Sequence, residues 1–146
     1  MVIVACLDHR VDPAIVLGLQ LGEAPVIRNA GGRVTQAVID DIAFLAFLAF
    51  LAFLAEQLFG GQDAADTLYE FAVIHHTQCA TGFLAAPGLA DAALAASVVA
   101  DPHATVQADV ERLLTSPLLT PKVSVSGHVY AIATGHLTTT LDARYP

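Results

Sequence analysis

The chain opens on Val2-Ile-Val-Ala5, a run of β-branched and small apolar residues with no alternation of apolar and polar positions. A strand of that kind is covered on both faces, as in a parallel sheet flanked by helices. Pro25 to Arg28 reads as a second short strand and Phe71 to Ile74 as a third. Asp12 is placed to cap a short helix that begins at Pro13 and runs to about Gln20, since a carboxylate before a first-turn proline suits a helix start. A long helical stretch follows from about Thr35 to Phe59, broken by Gly60-Gly61-Gln62-Asp63. Ala80 to Pro102 is Ala-rich, part helix and part loop, and Ala104 to Leu114 is amphipathic, with Val106, Val110, Leu113 and Leu114 on one side. Val123 to Ser126 and Val129 to Ala133 read as strand, and Thr134-Gly135 turns the chain into a last short strand, Leu137 to Leu141. Strands alternating with helices, then a closing hairpin, predict an α/β fold. The expected architecture is a mostly parallel central β-sheet flanked by helices, with an antiparallel C-terminal edge hairpin. A length of 146 residues suits one domain spanning residues 1–146.

The long helix holds an unusual pattern. Phe-Leu-Ala repeats four times without interruption from Phe44 to Ala55. A period of three falls short of 3.6 residues per turn, so successive phenylalanines step back by about 60° and sweep half the circumference. A helix apolar all round has to be buried on most sides. The direct expectation is a core helix; a surface dedicated to self-association or lipid is the alternative.

Composition narrows the classes of function. The net charge of −8, with only six Lys and Arg, excludes a phosphate-neutralising surface and hence nucleic-acid binding. The longest apolar run, Ile42 to Ala55, has 14 residues, against about 17 to 25 for a membrane-spanning helix. The first residues lack the basic and long apolar regions of a secretory leader, so a cytoplasmic protein with two reduced thiols is expected. Apolar residues make up 55% and charged residues 14%, an excess that predicts a homodimer or larger homo-oligomer.

Two short segments carry the chemistry, each just after an apolar strand. They are Cys6-Leu-Asp8-His-Arg10 and His75-His76-Thr-Gln-Cys79. Ligands in open α/β sheets bind at the carboxyl ends of the strands. If the two strands are neighbours, Cys6, His76 and Cys79 converge. Two thiolates and one imidazole make a three-ligand Zn²⁺ site, one ion per chain, with a fourth position left open. Asp8 and Arg10 alternate with Cys6 and reach the same cavity, where the Arg fork keeps the carboxylate ionised and oriented.

Cys6-x-Asp8-x-Arg10 followed by His76-x-x-Cys79 resembles the signature pair of the β-class carbonic anhydrases. Val26-Ile-Arg-Asn-Ala-Gly-Gly32 is similar to that family's R-N-A-G-G loop, and Val123 to Tyr130 with Thr134-Gly135-x-Leu137 to its closing strands. Gln78 and Ala80 stand where the family usually has Asp and Gly. The resemblance implies reversible hydration of carbon dioxide to bicarbonate by a zinc-bound hydroxide. It makes Asp8 the acceptor from the metal-bound water and Arg10 the residue that holds Asp8. It also allows Asp8 to become a fourth ligand in a closed state, and backbone N–H groups of Ala30, Gly31 and Gly32 to position substrate. The same site would serve a carbonyl sulfide or carbon disulfide hydrolase, or a zinc-binding relative without activity.

Overall fold

The computed structural model describes residues 1–59, 69–85, 91–119 and 122–146. Among the described residues, five strands form one sheet: β1 (Val2–Cys6), β2 (Val26–Asn29), β3 (Tyr69–His76), β4 (Val123–Ala131) and β5 (His136–Arg144). Their order is β2-β1-β3-β4-β5. The first four are parallel, and β5 closes the sheet antiparallel to β4. The expected fold class is the observed one.

The reason is visible in the burial. Every residue of β1 is buried, as are Phe71 to His76 in β3, so neither strand has room for an outward polar row. One face carries the main core: Val2, Val4, Phe71, Val73, Val123 and Val125 pack with Val106, Val110 and Leu113 of helix α4 (Pro102–Leu114). The other face is thinner, with Ile3, Ala5 and Ile74 under Leu17 and Leu19.

Local differences from the sequence reading each have a local cause. Helix α1 (Pro13–Leu17) ends before Gln20 because Gly18 takes the left-handed conformation (φ 68°) that closes the helix there. Helix α4 starts two residues early, because the Asp101 carboxylate accepts from His103 N and Ala104 N ahead of Pro102. β4 runs unbroken through Gly127 and His128, where its register with β5 shifts. His128 is half-buried between Ser126 Oγ at 2.9 Å and Thr139 Oγ1 at 3.2 Å. Ala80–Ala85 is a 3₁₀ turn and Ala92–Ala96 the short helix α3. The break at Gly60 to Asp63 lies outside the described residues.

Helix α2 (Gln36–Phe59) corrects the core-helix expectation. Val38, Ile39, Ile42 and Ala46 are buried, whereas Phe44 is 61% exposed, Phe47 55%, Leu48 44% and Leu51 44%. A sheet covers one stripe of a helix packed on it, and residues stepping by three leave that stripe within two turns. Among the described residues, no helix is long and apolar enough to cross a membrane.

Candidate metal centre

β1 and β3 are adjacent and parallel, with Ala5 level with Ile74. β2 lies on one side of β1 and β3, which follows β2 in the chain, on the other, so the crevice beyond the carboxyl ends is a topological switch point. Cys6 ends β1 and His76 ends β3. Cys79 arrives through a tight turn in which Gln78 sits at φ 56°, the left-handed region, a conformation that costs a non-glycine residue about 1 kcal/mol.

The ligand atoms of Cys6, His76 and Cys79 all lie within 4.8 Å of one another, and all three residues are buried. The two sulfurs are 3.9 Å apart. His76 Nδ1 lies 2.9 Å from the Thr77 carbonyl oxygen, to which it donates its proton. That leaves the Nε2 lone pair buried without a partner among the described residues. An orphaned acceptor beside two sulfurs is what a borderline-soft cation would satisfy, so the residues fit a metal.

The electrostatics of the group follow from the contacts among its members. The Cys79 thiol is held below the usual thiol range, first by donation from Cys6 and then, against burial, by His76 and Thr81. Cys6 is pushed up by the same contact and by burial, while backbone N–H groups of Asp8 and Gly31 pull it down. Burial opposes a charged His76, yet the adjoining Cys79 raises it overall. Metal ions favour the deprotonated sulfurs outright.

Asp8 stands at the edge of the group, its Oδ2 4.0 Å from His76 Nε2. Arg10 grips both carboxylate oxygens, Nε to Oδ1 at 3.0 Å and Nη2 to Oδ2 at 2.7 Å. Arg10 Nη2 also donates to the Gln78 carbonyl at 2.9 Å, tying Asp8 to the turn that delivers Cys79. Donation from Arg10 holds the Asp8 carboxyl well below the usual carboxylate range. Ala30, Gly31 and Gly32 form a 3₁₀ turn behind Cys6. A Cβ on Gly32 would meet Cys6 N at 2.7 Å, and one on Gly31 would meet the Ser97 carbonyl at 2.3 Å. A cavity of about 250 Å³ opens over the group, lined by His76, Gln78, Cys79, Phe83, Val99 and Pro102 among others.

The family described as carbonic anhydrase matches residues 1–82. The chain is also 30% identical over 144 residues to the beta-carbonic anhydrase 1 of Mycobacterium tuberculosis, covering 92% of this chain and 78% of that one. The chain belongs to the β-carbonic anhydrase family. Among solved structures, the carbonic anhydrase of Streptococcus mutans is 30% identical with a TM-score of 0.67, covering 95% of this chain and 80% of that one. A carbon disulfide hydrolase is 25% identical with a TM-score of 0.59, covering 94% of this chain and 76% of that one.

Several residues that build this β-carbonic anhydrase site escape a reading of motifs. Arg28 donates to the carbonyls of Cys6, Asp8 and Val11 at 2.8–3.0 Å, so one guanidinium shapes the whole Cys6–Val11 loop. Asp109 of α4 accepts from Arg33 Nε at 2.8 Å, Arg33 Nη2 at 3.1 Å and Val34 N at 3.1 Å. His75 Nε2 is 3.2 Å from Asp109 Oδ2 and 3.2 Å from the Gly32 carbonyl oxygen. Asp109 was discoverable: it lies three residues after Val106 and beside Val110, a lone carboxylate on the apolar stripe of α4.

Proposed function

We propose that this chain catalyses the reversible hydration of carbon dioxide to bicarbonate, with one Zn²⁺ held by Cys6 Sγ, His76 Nε2 and Cys79 Sγ. The observation that carries this reading is the buried His76 Nε2, without a partner among the described residues, facing two sulfurs beside an Arg-clamped carboxylate. A bound Zn²⁺ supplies a Lewis acid that brings the pKa of water to roughly 7.

The protein's own part is positioning. Asp8 remains an acceptor at neutral pH because Arg10 stabilises its ionised form. Its Oδ2 is the atom that accepts a hydrogen bond from water next to the group, which orients that water toward the cavity. Arg10 occupies both oxygens of Asp8 and so holds it in an acceptor's role, away from that of a fourth ligand. The apolar sides of Phe83, Val99 and Pro102 suit a small uncharged substrate.

Stopped-flow CO₂ hydration on zinc-quantified protein tests the reading. Asp8→Asn keeps the size of the side chain and removes the charge that Arg10 clamps. It is expected to lower kcat by about 10²-fold or more while zinc content stays near one per chain. Bound zinc with no hydration in the wild type between pH 6.5 and 9 would sink the proposal. The likeness to a carbon disulfide hydrolase makes that linear substrate the second assay.

The exposed flank of α2 supports a homo-oligomer built on that helix. From Ile42 to Ala55 the helix carries no charge, so its complement must be equally apolar, and a second copy of α2 meets that requirement. Each large side chain covered there contributes about 1.5–3 kcal/mol. The double substitution Phe47→Glu, Leu51→Glu is expected to weaken association by about 100-fold or more, measured by analytical ultracentrifugation. A wild-type chain that sediments as a monomer at all concentrations would refute this assembly.

A further inference from the structure

The two sulfurs of the candidate metal centre are not equivalent. Apart from Cys79 itself, the groups that approach Cys6 among the described residues are the backbone N–H groups of Asp8 and Gly31. Cys79 has in addition a side-chain partner: Thr81 Oγ1 lies 3.1 Å from Cys79 Sγ. Thr81 belongs to the 3₁₀ turn Ala80–Ala85, which starts directly after Cys79 and is anchored by Gly82 N donating to the Cys79 carbonyl at 2.9 Å. The turn therefore fixes where the hydroxyl points.

Two thiolates 3.9 Å apart in a buried site repel each other. Dipoles aimed at the sulfurs offset that repulsion, and hydrogen bonds to a metal ligand both orient it and tune its donor strength. With Cys79 ionised, the hydroxyl has to be the donor, since a thiolate has no proton to give.

We propose that Thr81 is a positioning residue of the metal centre: its hydroxyl donates to Cys79 Sγ, fixes that ligand's direction and draws charge from it. This rests on reading Cys6, His76 and Cys79 as the zinc ligands. Its consequences are tighter retention of the metal and a more strongly Lewis-acidic ion.

The test compares wild type with Thr81→Val, Thr81→Ala and Thr81→Ser, using zinc affinity by competition with a chromophoric chelator and the thiolate charge-transfer band of the Co²⁺-loaded protein. Valine keeps the branched shape without the hydroxyl, alanine removes both, and serine restores the hydroxyl alone. Valine and alanine are expected to weaken zinc binding about 10- to 100-fold and to move the Co²⁺ band to lower energy, because the sulfur becomes more electron-rich. Serine is expected to return both readouts to near the wild-type values. Zinc affinity and band position unchanged in the valine and alanine variants, or a serine variant that behaves like valine, would overturn the proposal. A wild type that takes up neither metal would overturn the metal centre and this inference with it. Neither readout depends on CO₂ hydration, so a failure of the catalytic reading alone leaves them standing.

Discussion

Asp109→Ala is expected to destabilise the fold by about 3–5 kcal/mol, the cost of breaking a buried charge pair by removing one partner. Asp109 is 2% exposed and receives four donors, from Arg33 Nε, Arg33 Nη2, Val34 N and His75 Nε2. Alanine leaves the guanidinium and two N–H groups facing one another inside the protein. For a chain of this length the melting temperature should fall by roughly 10 °C, measured by calorimetry. The effect should also reach the metal centre, because Asp109 holds Arg33, and Arg33 follows the glycine turn packed against Cys6 N.

The same residue predicts an acid dependence. Burial alone would raise the Asp109 carboxyl, but donation from His75 and Arg33 leaves it below its ordinary value. It therefore binds its proton less readily folded than unfolded, where the value is about 3.9. Its stabilising contribution is complete above about pH 4 and is lost as pH falls through the folded value. Urea unfolding at pH 5, 4 and 3 should show wild-type stability dropping faster than that of Asp109→Asn. Parallel declines would mean that Asp109 titrates alike in both states.

The sheet was readable from the sequence because its strands are buried on both faces. Val2 to Ala5 and Phe71 to Ile74 had no polar row to disguise them. The crevice followed, since a parallel sheet brings strand ends together and both chemical motifs sit at such ends. What was not readable depends on contacts between segments far apart in sequence. Arg28 satisfies three carbonyls of a loop some 17 to 22 positions away, and carbonyl acceptors leave no mark in a sequence. Asp109 and Arg33 pair across 76 positions. The burial of α2 was misjudged for a different reason. Hydrophobicity says that a surface will be covered, but not whether the cover is this chain or another.

Cys6→Ser is expected to abolish stoichiometric zinc uptake, an effect larger than the roughly 10- to 100-fold typical of a ligand's outer partners. Serine keeps the shape at a position that tolerates little else, with Gly32 packed against the backbone of Cys6. What it removes is the thiolate, because an alcohol stays protonated near neutrality and is a poor donor to zinc. His76 Nε2 and Cys79 Sγ are then the only two strong donors left in the group. Asp8 is the nearest substitute, but both its oxygens are held by Arg10, and releasing them would forfeit that clamp. Melting curves with and without zinc give a second readout. A ligand present at about 100 times its Kd stabilises a protein by roughly 2.7 kcal/mol, so the wild type should gain several degrees where Cys6→Ser gains almost none. A serine variant that bound one zinc with wild-type affinity would move the metal away from Cys6. The convergence of β1 and β3 at their carboxyl ends would then need a different chemical explanation.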